Sequence, residues 1–250
     1  AQIDEIIAQG LTIVLHLGSF PSAVKNILRQ YDGRIFPGDV FILNDPYTAG
    51  GIHLPDIYVI KPVFAEGDLQ GFACALAHHT DVGGIVPGSN STEATEIYQE
   101  GLCLPALKLY DRGVPNDAIF AVIERNVRVP DKVLGDLRAE IAAVLIGERE
   151  YLALVDRYDA ATVRDYAAAL LDYSERLCRA EIAALPDGRY EFASHIDGDN
   201  LDSGPVTIRV AITIAGDTAT VDFAGTSPQV RAGINSPIAF SKSAVYGATG

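Results

Sequence analysis

Residues 38–64 read GDVFILNDPYTAGGIHLPDIYVIKPVF, and this stretch decides the fold of the first part of the chain. Two apolar runs within it, Asp39–Leu43 and Ile57–Phe64, have the length and the β-branched content of short buried strands. Between the two runs lie prolines and a pair of glycines, which are residue types that interrupt helices and mark loops. We therefore predict two strands that are joined by a loop.

A third strand is predicted further along the chain, at Gly71–Ala77. The Gly67-Asp68 pair before it is typical of a hairpin turn, so the second and third strands should pair with each other. A short amphipathic helix is predicted ahead of all three strands, because apolar residues recur at helical spacing in Pro21–Gln30.

The middle of the chain has a helical pattern. Asn116 is a suitable N-cap for one helix, and Asp131 and Asp159 each precede a longer apolar pattern. The apolar positions are Val133, Leu134, Leu137, Ile141, Val144 and Leu145 in the first long pattern, and Val163, Tyr166, Leu170, Tyr173, Leu177 and Ile182 in the second. Each set falls on one face of a helix with about 3.6 residues per turn. We predict that the two long helices pack as an antiparallel pair or against the sheet.

The last part of the chain returns to a strand pattern. Apolar residues alternate in 206–212 and again in 221–223, with a Gly216-Asp217 turn between the two segments. The complete pattern predicts an α+β fold in three parts. These are a Gly-rich strand and loop region at 1–115, a helical region at 116–185, and an antiparallel β-rich region at 186–250 that we expect to be cut short at the C terminus.

Composition and charge exclude several classes of protein. Hydrophobic residues make up 48% of the chain and charged residues 21%, which is typical of globular proteins. A net charge of −14, from 19 basic and 33 acidic residues, argues against nucleic acid and anionic membranes as partners. No apolar run has the length of about 18 residues that a membrane span requires. Three cysteines without a CxxC pair argue against a zinc ribbon and favour a reducing, cytoplasmic location.

Histidines and carboxylates gather in two short motifs, GGIHLPD and AHHTDVGG. His53 and Asp56 lie three residues apart in the first motif, and His78 and Asp81 lie three residues apart in the second. The predicted hairpin connects the two motifs, so they can meet at one end of the strands. Imidazole and carboxylate groups bind divalent metals such as zinc, manganese or iron, and the glycines leave room for a substrate. We therefore favour a metal site; the alternative is that these side chains only cap turns.

Three neighbouring residues are candidates for supporting such a site through hydrogen bonds to the ligands: Asp45, His79 and Asp81. His16 has apolar neighbours on both sides and is instead predicted to be a core histidine with satisfied hydrogen bonds. The sequence contains neither a GxxxxGK[ST] nor a GxGxxG motif, so we expect nucleotide phosphates to bind elsewhere.

Four segments together resemble the hydantoinase B/5-oxoprolinase family: LHLGSFPSAV, the stretch 38–64, AHHTDVGGIVPGSNSTEATEIYQEGL and VDFAGTSPQVRAGIN. The series NDPY, GGxHxPD and HHxDxGG is the most specific part of this likeness. Because members of the family are longer, the resemblance implies the amino-terminal part of a subunit with both ends missing. It also implies that His53, Asp56 and His78 are metal ligands, and that a further aspartate of the family would precede residue 1.

The resemblance implies a function as well. Such proteins are catalytic subunits that work with a hydantoinase A-type, ATP-binding subunit in a hetero-oligomer, and together they open cyclic amides such as hydantoins or 5-oxoproline. ATP and Mg²⁺ would be bound by the partner, and the divalent metal by this chain. Two alternatives stay open: the large subunit of an ATP-dependent ketone carboxylase, and a non-catalytic structural subunit of such a complex.

Overall fold

The computed structural model describes residues 5–10, 14–198, 201 and 204–249. Helices and antiparallel strands both occur, so the α+β prediction is confirmed. The helices are α1 (Phe20–Gln30), α2 (Asp117–Asn126), α3 (Pro130–Tyr158), α4 (Ala160–Ala183) and α5 (Ile238–Thr249), with 3₁₀ turns at Val14–His16 and Ile97–Gln99. The strands are β1 (Val40–Leu43), β2 (Asp56–Ala65), β3 (Asp68–His78), β4 (Leu107–Asp111), β5 (Val114–Pro115), β6 (Gly188–Ile196), β7 (Val206–Ala215) and β8 (Thr218–Asp222).

The strands form a five-stranded sheet in the order β3-β2-β1-β4-β5 and a three-stranded sheet in the order β6-β7-β8. β2 and β3 make a long hairpin whose two-residue turn consists of Glu66 and Gly67. Both turn residues have positive φ, 55° and 89°, as a type I′ turn requires. The turn predicted at Gly67-Asp68 therefore lies one residue earlier, because Asp68 already pairs with Ala65.

Helices cover both faces of the five-stranded sheet, which explains why its central strands are apolar throughout. Consecutive residues of a strand point to opposite faces. Phe41 and Tyr58 are buried against α1 on one face, and Ile42 and Val59 are buried against α2 and α3 on the other. Residues 116–158 thus contribute to the same core as the first sheet. The region boundaries at 115 and 185 stay predictions.

The two long helices differ in how much of their apolar face is buried. On α3, Val133, Leu137, Ile141 and Val144 pack against the sheet, as predicted. On α4, the prediction of a buried apolar face is wrong, because four of its residues are exposed: Tyr166, Leu170, Tyr173 and Leu177. The two helices meet around Val155 and Ala160, and Asp159 caps α4 as predicted by accepting a hydrogen bond from the Thr162 amide at 2.8 Å. Among the described residues, no helix has both the length and the hydropathy needed to cross a bilayer.

Asn44 fixes the loop between β1 and β2 from the inside. Its amide group donates to the carbonyl oxygens of Leu54 at 2.6 Å and Leu102 at 2.9 Å, and its side-chain oxygen accepts from the Leu104 amide at 2.6 Å. The loop lies so close that a Cβ atom on Gly51 would come within 2.5 Å of the Asn44 carbonyl oxygen. The loop is therefore held against the sheet and returns the chain to the start of β2.

Substitution of Leu137 tests the packing of α3 on the sheet. Leu137 is fully buried, so Leu137→Ala should lower the free energy of unfolding by about 2–5 kcal/mol through the cavity that it leaves. The exposed neighbour is the matched control, and Arg138→Ala should change this free energy by less than about 0.5 kcal/mol. Urea unfolding followed by circular dichroism measures both values. Equal effects of the two substitutions would contradict this packing.

Candidate metal centre

His53, Asp56 and His78 come together at the end of the β2–β3 hairpin. Each offers one potential ligand atom, and these three atoms lie within 4.8 Å of one another. Nε2 of His53 is 3.2 Å from Oδ2 of Asp56, and the centroids of the two imidazole rings are 5.0 Å apart. Two imidazoles and a carboxylate form a donor set that suits zinc, manganese or iron.

Local backbone structure explains why these side chains meet. The segment from His53 to Asp56 is a tight turn in which the Asp56 amide donates to the His53 carbonyl oxygen at 3.1 Å. Leu54 is fully buried and anchors this turn in the core. Asp56 then starts β2 directly opposite His78, the last residue of β3, so both side chains lie on the same face of the sheet.

The carboxylate of Asp56 is buried without hydrogen bonds. Asp56 is 1% exposed, and neither of its carboxylate oxygens accepts a hydrogen bond from a described residue. Oδ2 of Asp56 lies 3.2 Å from Nε2 of His53 and 3.5 Å from Nδ1 of His16. An ionised carboxylate is costly to bury without compensating charge, so this position favours a cation among the imidazoles.

His16 also reaches the cluster, which corrects its prediction as a satisfied core histidine. It ends the 3₁₀ turn before α1, and its Nδ1 atom is buried without a hydrogen-bond partner among the described residues. Burial lowers the pKa of His16; Asp56 opposes this effect, and His53 and His78 add to it. A neutral imidazole with a free nitrogen can bind a metal, so His16 is a fourth candidate ligand.

Asn90 contacts His53 and Glu100 lies near it, and the sequence analysis missed both residues. Nδ1 of His53 is 3.2 Å from the side-chain oxygen of Asn90, which can only accept, so Nδ1–H donates and Nε2 is left free toward Asp56. Burial disfavours the charged ring, but Asp56, Asn90 and Glu100 outweigh this effect and raise the pKa of His53. Burial also raises the pKa of Glu100, against the opposing influence of His53.

Asp45 and His79, two of the predicted supporting residues, make their contacts elsewhere. The Asp45 carboxylate accepts from the Tyr47 amide at 2.8 Å and from the Thr48 hydroxyl, and so closes the turn that follows β1. His79 is fully buried, with its Nε2 atom 2.9 Å from Oε2 of Glu140 on α3. The side chains of Asp45 and His79 are therefore engaged by other residues and not by His53, Asp56 or His78.

Asp81 organises the glycine-rich loop that follows β3. Its carboxylate accepts from the amides of Gly83 at 2.9 Å, Gly88 at 3.1 Å and Arg128 at 3.0 Å. It also accepts from the Arg128 guanidinium at 2.8 Å, which in turn donates to carbonyl oxygens of the same loop. This loop leads to Asn90, whose side chain contacts His53, so an indirect supporting role of Asp81 stays a prediction.

An open groove of about 370 Å³ begins beside His78, between β3 and α3. Its volume lies within the range of about 300–1,000 Å³ that is common for small-molecule sites. The groove is lined by small apolar side chains with polar groups at one end: Ala75, Leu76, Ala77, His78, Asp136, Ala139, Glu140 and Ala143. The groove lies on the α3 face of β3, whereas the side chains of Asp56 and His78 lie on the opposite face of the sheet, so it does not open onto the candidate metal centre.

Comparison with known proteins places the chain in a family. The family profile described as Hydantoinase B/oxoprolinase matches residues 1–250. The chain belongs to the hydantoinase B/oxoprolinase family. The resemblance that rested on the NDPY, GGxHxPD and HHxDxGG series is thereby confirmed.

Individual members of the hydantoinase B/oxoprolinase family support this placement. The B-type subunit of a putative D-/L-hydantoinase from Pseudomonas sp. (strain NS671) is 38% identical over 224 residues, which cover 86% of this chain and 38% of that protein. The crystal structure of the ATP-dependent caprolactamase from Pseudomonas jessenii superimposes with a TM-score of 0.91 at 36% identity, over 97% of this chain and 42% of the other. The chain therefore spans less than half the length of these relatives.

A more distant likeness concerns the fold alone. A nucleotide-free acetone carboxylase structure matches with a TM-score of 0.88 at 21% identity, over 96% of this chain and 34% of the other. The α+β architecture is thus shared between this chain, a caprolactamase and a carboxylase.

The role of Asp81 in the loop makes its contribution to stability dependent on pH. Asp81→Asn should lower the free energy of unfolding by about 1.5–3 kcal/mol at pH 7, because a neutral amide replaces a charged acceptor. Burial acts to raise the pKa of Asp81, but the hydrogen bonds from Arg128 and the glycine amides outweigh it and lower this pKa. The stabilisation is therefore present above the unfolded-state pKa of about 4 and is lost as the pH falls through the lower folded-state value.

Chemical denaturation at pH 7 and near pH 3 tests this expectation. The difference between wild type and Asp81→Asn should shrink at the lower pH, whereas Asp165→Asn, on the exposed surface of α4, should show little difference at either pH. A difference for Asp81→Asn that is independent of pH would show that its carboxylate charge does not hold the loop.

Proposed function

We propose that the chain is the metal-dependent catalytic subunit of an ATP-dependent cyclic-amide hydrolase. The observation that carries this proposal is the buried Asp56 carboxylate, which accepts no hydrogen bond from the described residues and lies beside three imidazoles. A divalent cation bound there would supply the missing charge. Family membership supports the reaction class, because one matched relative is named as a hydantoinase subunit and another as an ATP-dependent caprolactamase.

His53, Asp56 and His78 would hold the metal, and His16 is available as a further donor. When bound, a divalent metal polarises an amide oxygen or lowers the pKa of a water molecule that attacks the ring carbonyl. Asn90 would keep the His53 ring oriented, with Nε2 directed into the cluster. Glu100, whose pKa is raised by burial, lies near His53 and is suited to take up a proton and return it to the leaving nitrogen.

The substrate would bind where its amide can reach the metal held by His53, Asp56 and His78. A substrate for this centre would carry a small ring and present an internal amide to the metal. Hydantoins, 5-oxoproline and lactams share this combination of a small ring and an internal amide, so they form one substrate class.

The nucleotide would bind to a separate hydantoinase A-type subunit. The sequence lacks both common phosphate-binding motifs, and the matched Pseudomonas relative is named as the B-type component of a hydantoinase. ATP on such a partner would transfer its γ-phosphoryl group to the amide oxygen and leave as ADP, while this chain holds the metal and the ring. Addition of water to the ring carbon and cleavage of the C–N bond would then give an acyl phosphate, from which a second water molecule releases phosphate. The active form is then a hetero-oligomer in the cytoplasm.

A ketone carboxylase is the alternative that the fold favours, because an acetone carboxylase has the same architecture. In that case the metal would bind bicarbonate or stabilise an enolate. A structural subunit without catalysis is disfavoured by Asp56, since a purely structural carboxylate in a buried turn is expected to accept hydrogen bonds. ATP hydrolysis that depends on a ketone and bicarbonate, and not on a cyclic amide, would indicate the carboxylase.

Metal analysis tests the candidate centre directly. The purified full-length protein should contain about one divalent metal ion per chain, and His53→Ala and His78→Ala should lose most of it. Asp56→Asn keeps the size of the side chain but removes its charge, so metal affinity should fall by at least about 10–100-fold while the melting temperature of the metal-free protein is preserved. His195→Ala, on β6 outside the cluster, is the matched control. Full metal retention in both His53→Ala and His78→Ala would overturn the assignment.

Reconstitution tests the division of labour between subunits. ATP hydrolysis that depends on a cyclic amide should appear only when this protein and an A-type subunit are mixed, and Asp56→Asn should abolish it without preventing assembly. Calorimetry of the isolated protein with ATP and Mg²⁺ should show no tight binding. Micromolar affinity for ATP without a partner would contradict the proposal.

A further inference from the structure

A buried pair of polar residues lies beside the proposed ligands without belonging to them. His79 is fully buried, Glu140 on α3 is 5% exposed, and Nε2 of the histidine is 2.9 Å from Oε2 of the glutamate. Their other polar atoms, Nδ1 and Oε1, have no hydrogen-bond partner among the described residues. Desolvation makes such a pair a poor source of stability compared with apolar packing, so its presence points to a different role.

His79 connects both segments that carry the proposed ligands. It follows His78 directly in the chain, and its backbone N–H donates to the carbonyl oxygen of Pro55 at 2.8 Å. Pro55 lies within the turn between His53 and Asp56. The ring of His79 points the other way, to Glu140, so one residue joins the end of β3, the ligand-bearing turn and α3.

We propose that His79 and Glu140 form a positioning pair, which fixes the His53–Asp56 turn against His78 without binding the metal. This role rests on the proposed metal centre. α3 provides a rigid support for this pair. Val133 and Leu137 precede Glu140 on the helix and Ile141 follows it, and all three side chains are buried in the core. Loss of the Glu140 carboxylate would free the His79 ring, loosen its backbone bond to Pro55 and separate the ligands.

The same helix provides a matched control. Glu148 of α3 forms an ion pair with the buried Lys61 of β2, with Nζ and Oε1 3.2 Å apart. This pair also ties α3 to the sheet, but it touches neither the His53–Asp56 turn nor His78. Glu140→Ala and Glu148→Ala should therefore both lower the melting temperature, and only Glu140→Ala should disturb the metal centre.

A measurement of metal affinity distinguishes a residue that positions the ligands from one that only ties α3 to the sheet. In the full-length protein, competition between a chromophoric chelator and the protein for Zn²⁺ should show an affinity about 10–100-fold lower in Glu140→Ala, as for other residues that orient ligands. The visible absorption of bound Co²⁺ should change in the same variant. Glu140→Gln keeps an acceptor oxygen and should retain most of the affinity. If Glu140→Ala does not fold, Glu140→Met fills the same space without an acceptor. Equal affinities in the Glu140 and Glu148 variants would overturn the positioning role.

Hydrogen exchange of the metal-free protein distinguishes this inference from the proposed function. Glu140→Ala should exchange the amides of His79, His53, Leu54 and Asp56 faster than wild type, and Glu148→Ala should not. If the wild-type protein binds no metal at His53, Asp56 and His78, the proposed function fails, and faster exchange in Glu140→Ala still supports the pair as the support of this turn. Unchanged exchange in Glu140→Ala overturns the pair whether or not metal binds.

Discussion

The pairing of Asp56 with His78 across β2 and β3 is the constraint on which the site depends. The two-residue turn at Glu66-Gly67 and the bulge beside it, where Gln70 is an extra residue of β3 opposite Val63 and Phe64, together set this register. Since side chains alternate along a strand, a shift by one residue would place His79 opposite Asp56 and would turn His78 toward α3. The turn and the bulge at the far end of the hairpin therefore decide which of two adjacent histidines faces the cluster and which faces Glu140.

Much of the fold could be predicted because the responsible signals are local. The strands β1 to β3, the capping of α4 by Asp159 and the buried face of α3 follow from alternation, helical periodicity and turn residues within short windows. The prediction that the apolar face of α4 is buried was wrong because it also rested on local signals alone. Apolar residues at helical spacing indicate that a helix has an apolar stripe, but they do not specify a surface that covers it, and Tyr166 is 74% exposed.

The residues of the candidate site also divide into those that local sequence signals predict and those that they do not. His53, Asp56 and His78 could be brought together from the sequence because a hairpin connects their motifs. His16, Asn90 and Glu100 could not, because His16 precedes α1, Asn90 and Glu100 lie in the long connection between β3 and β4, and no spacing rule relates them to His53. Asp45 and Asp81 were given supporting roles from their position in the motifs. Both accept hydrogen bonds from amides two or three residues ahead, a local use that is common for aspartate in turns.

Two buried carboxylates near the end of the same hairpin, Asp56 and Glu140, have different electrostatic surroundings. Glu140 has a histidine nitrogen 2.9 Å from one oxygen, so its charge has a partner supplied by the fold. Asp56 has imidazole nitrogens at 3.2 and 3.5 Å, and neither of its oxygens accepts a hydrogen bond from the described residues. Burial of the two groups is similar, so burial does not distinguish their roles. The difference lies in hydrogen bonding: one oxygen of Glu140 is bonded to His79 within the protein, whereas both oxygens of Asp56 stay available to an ion that the surrounding imidazoles can share.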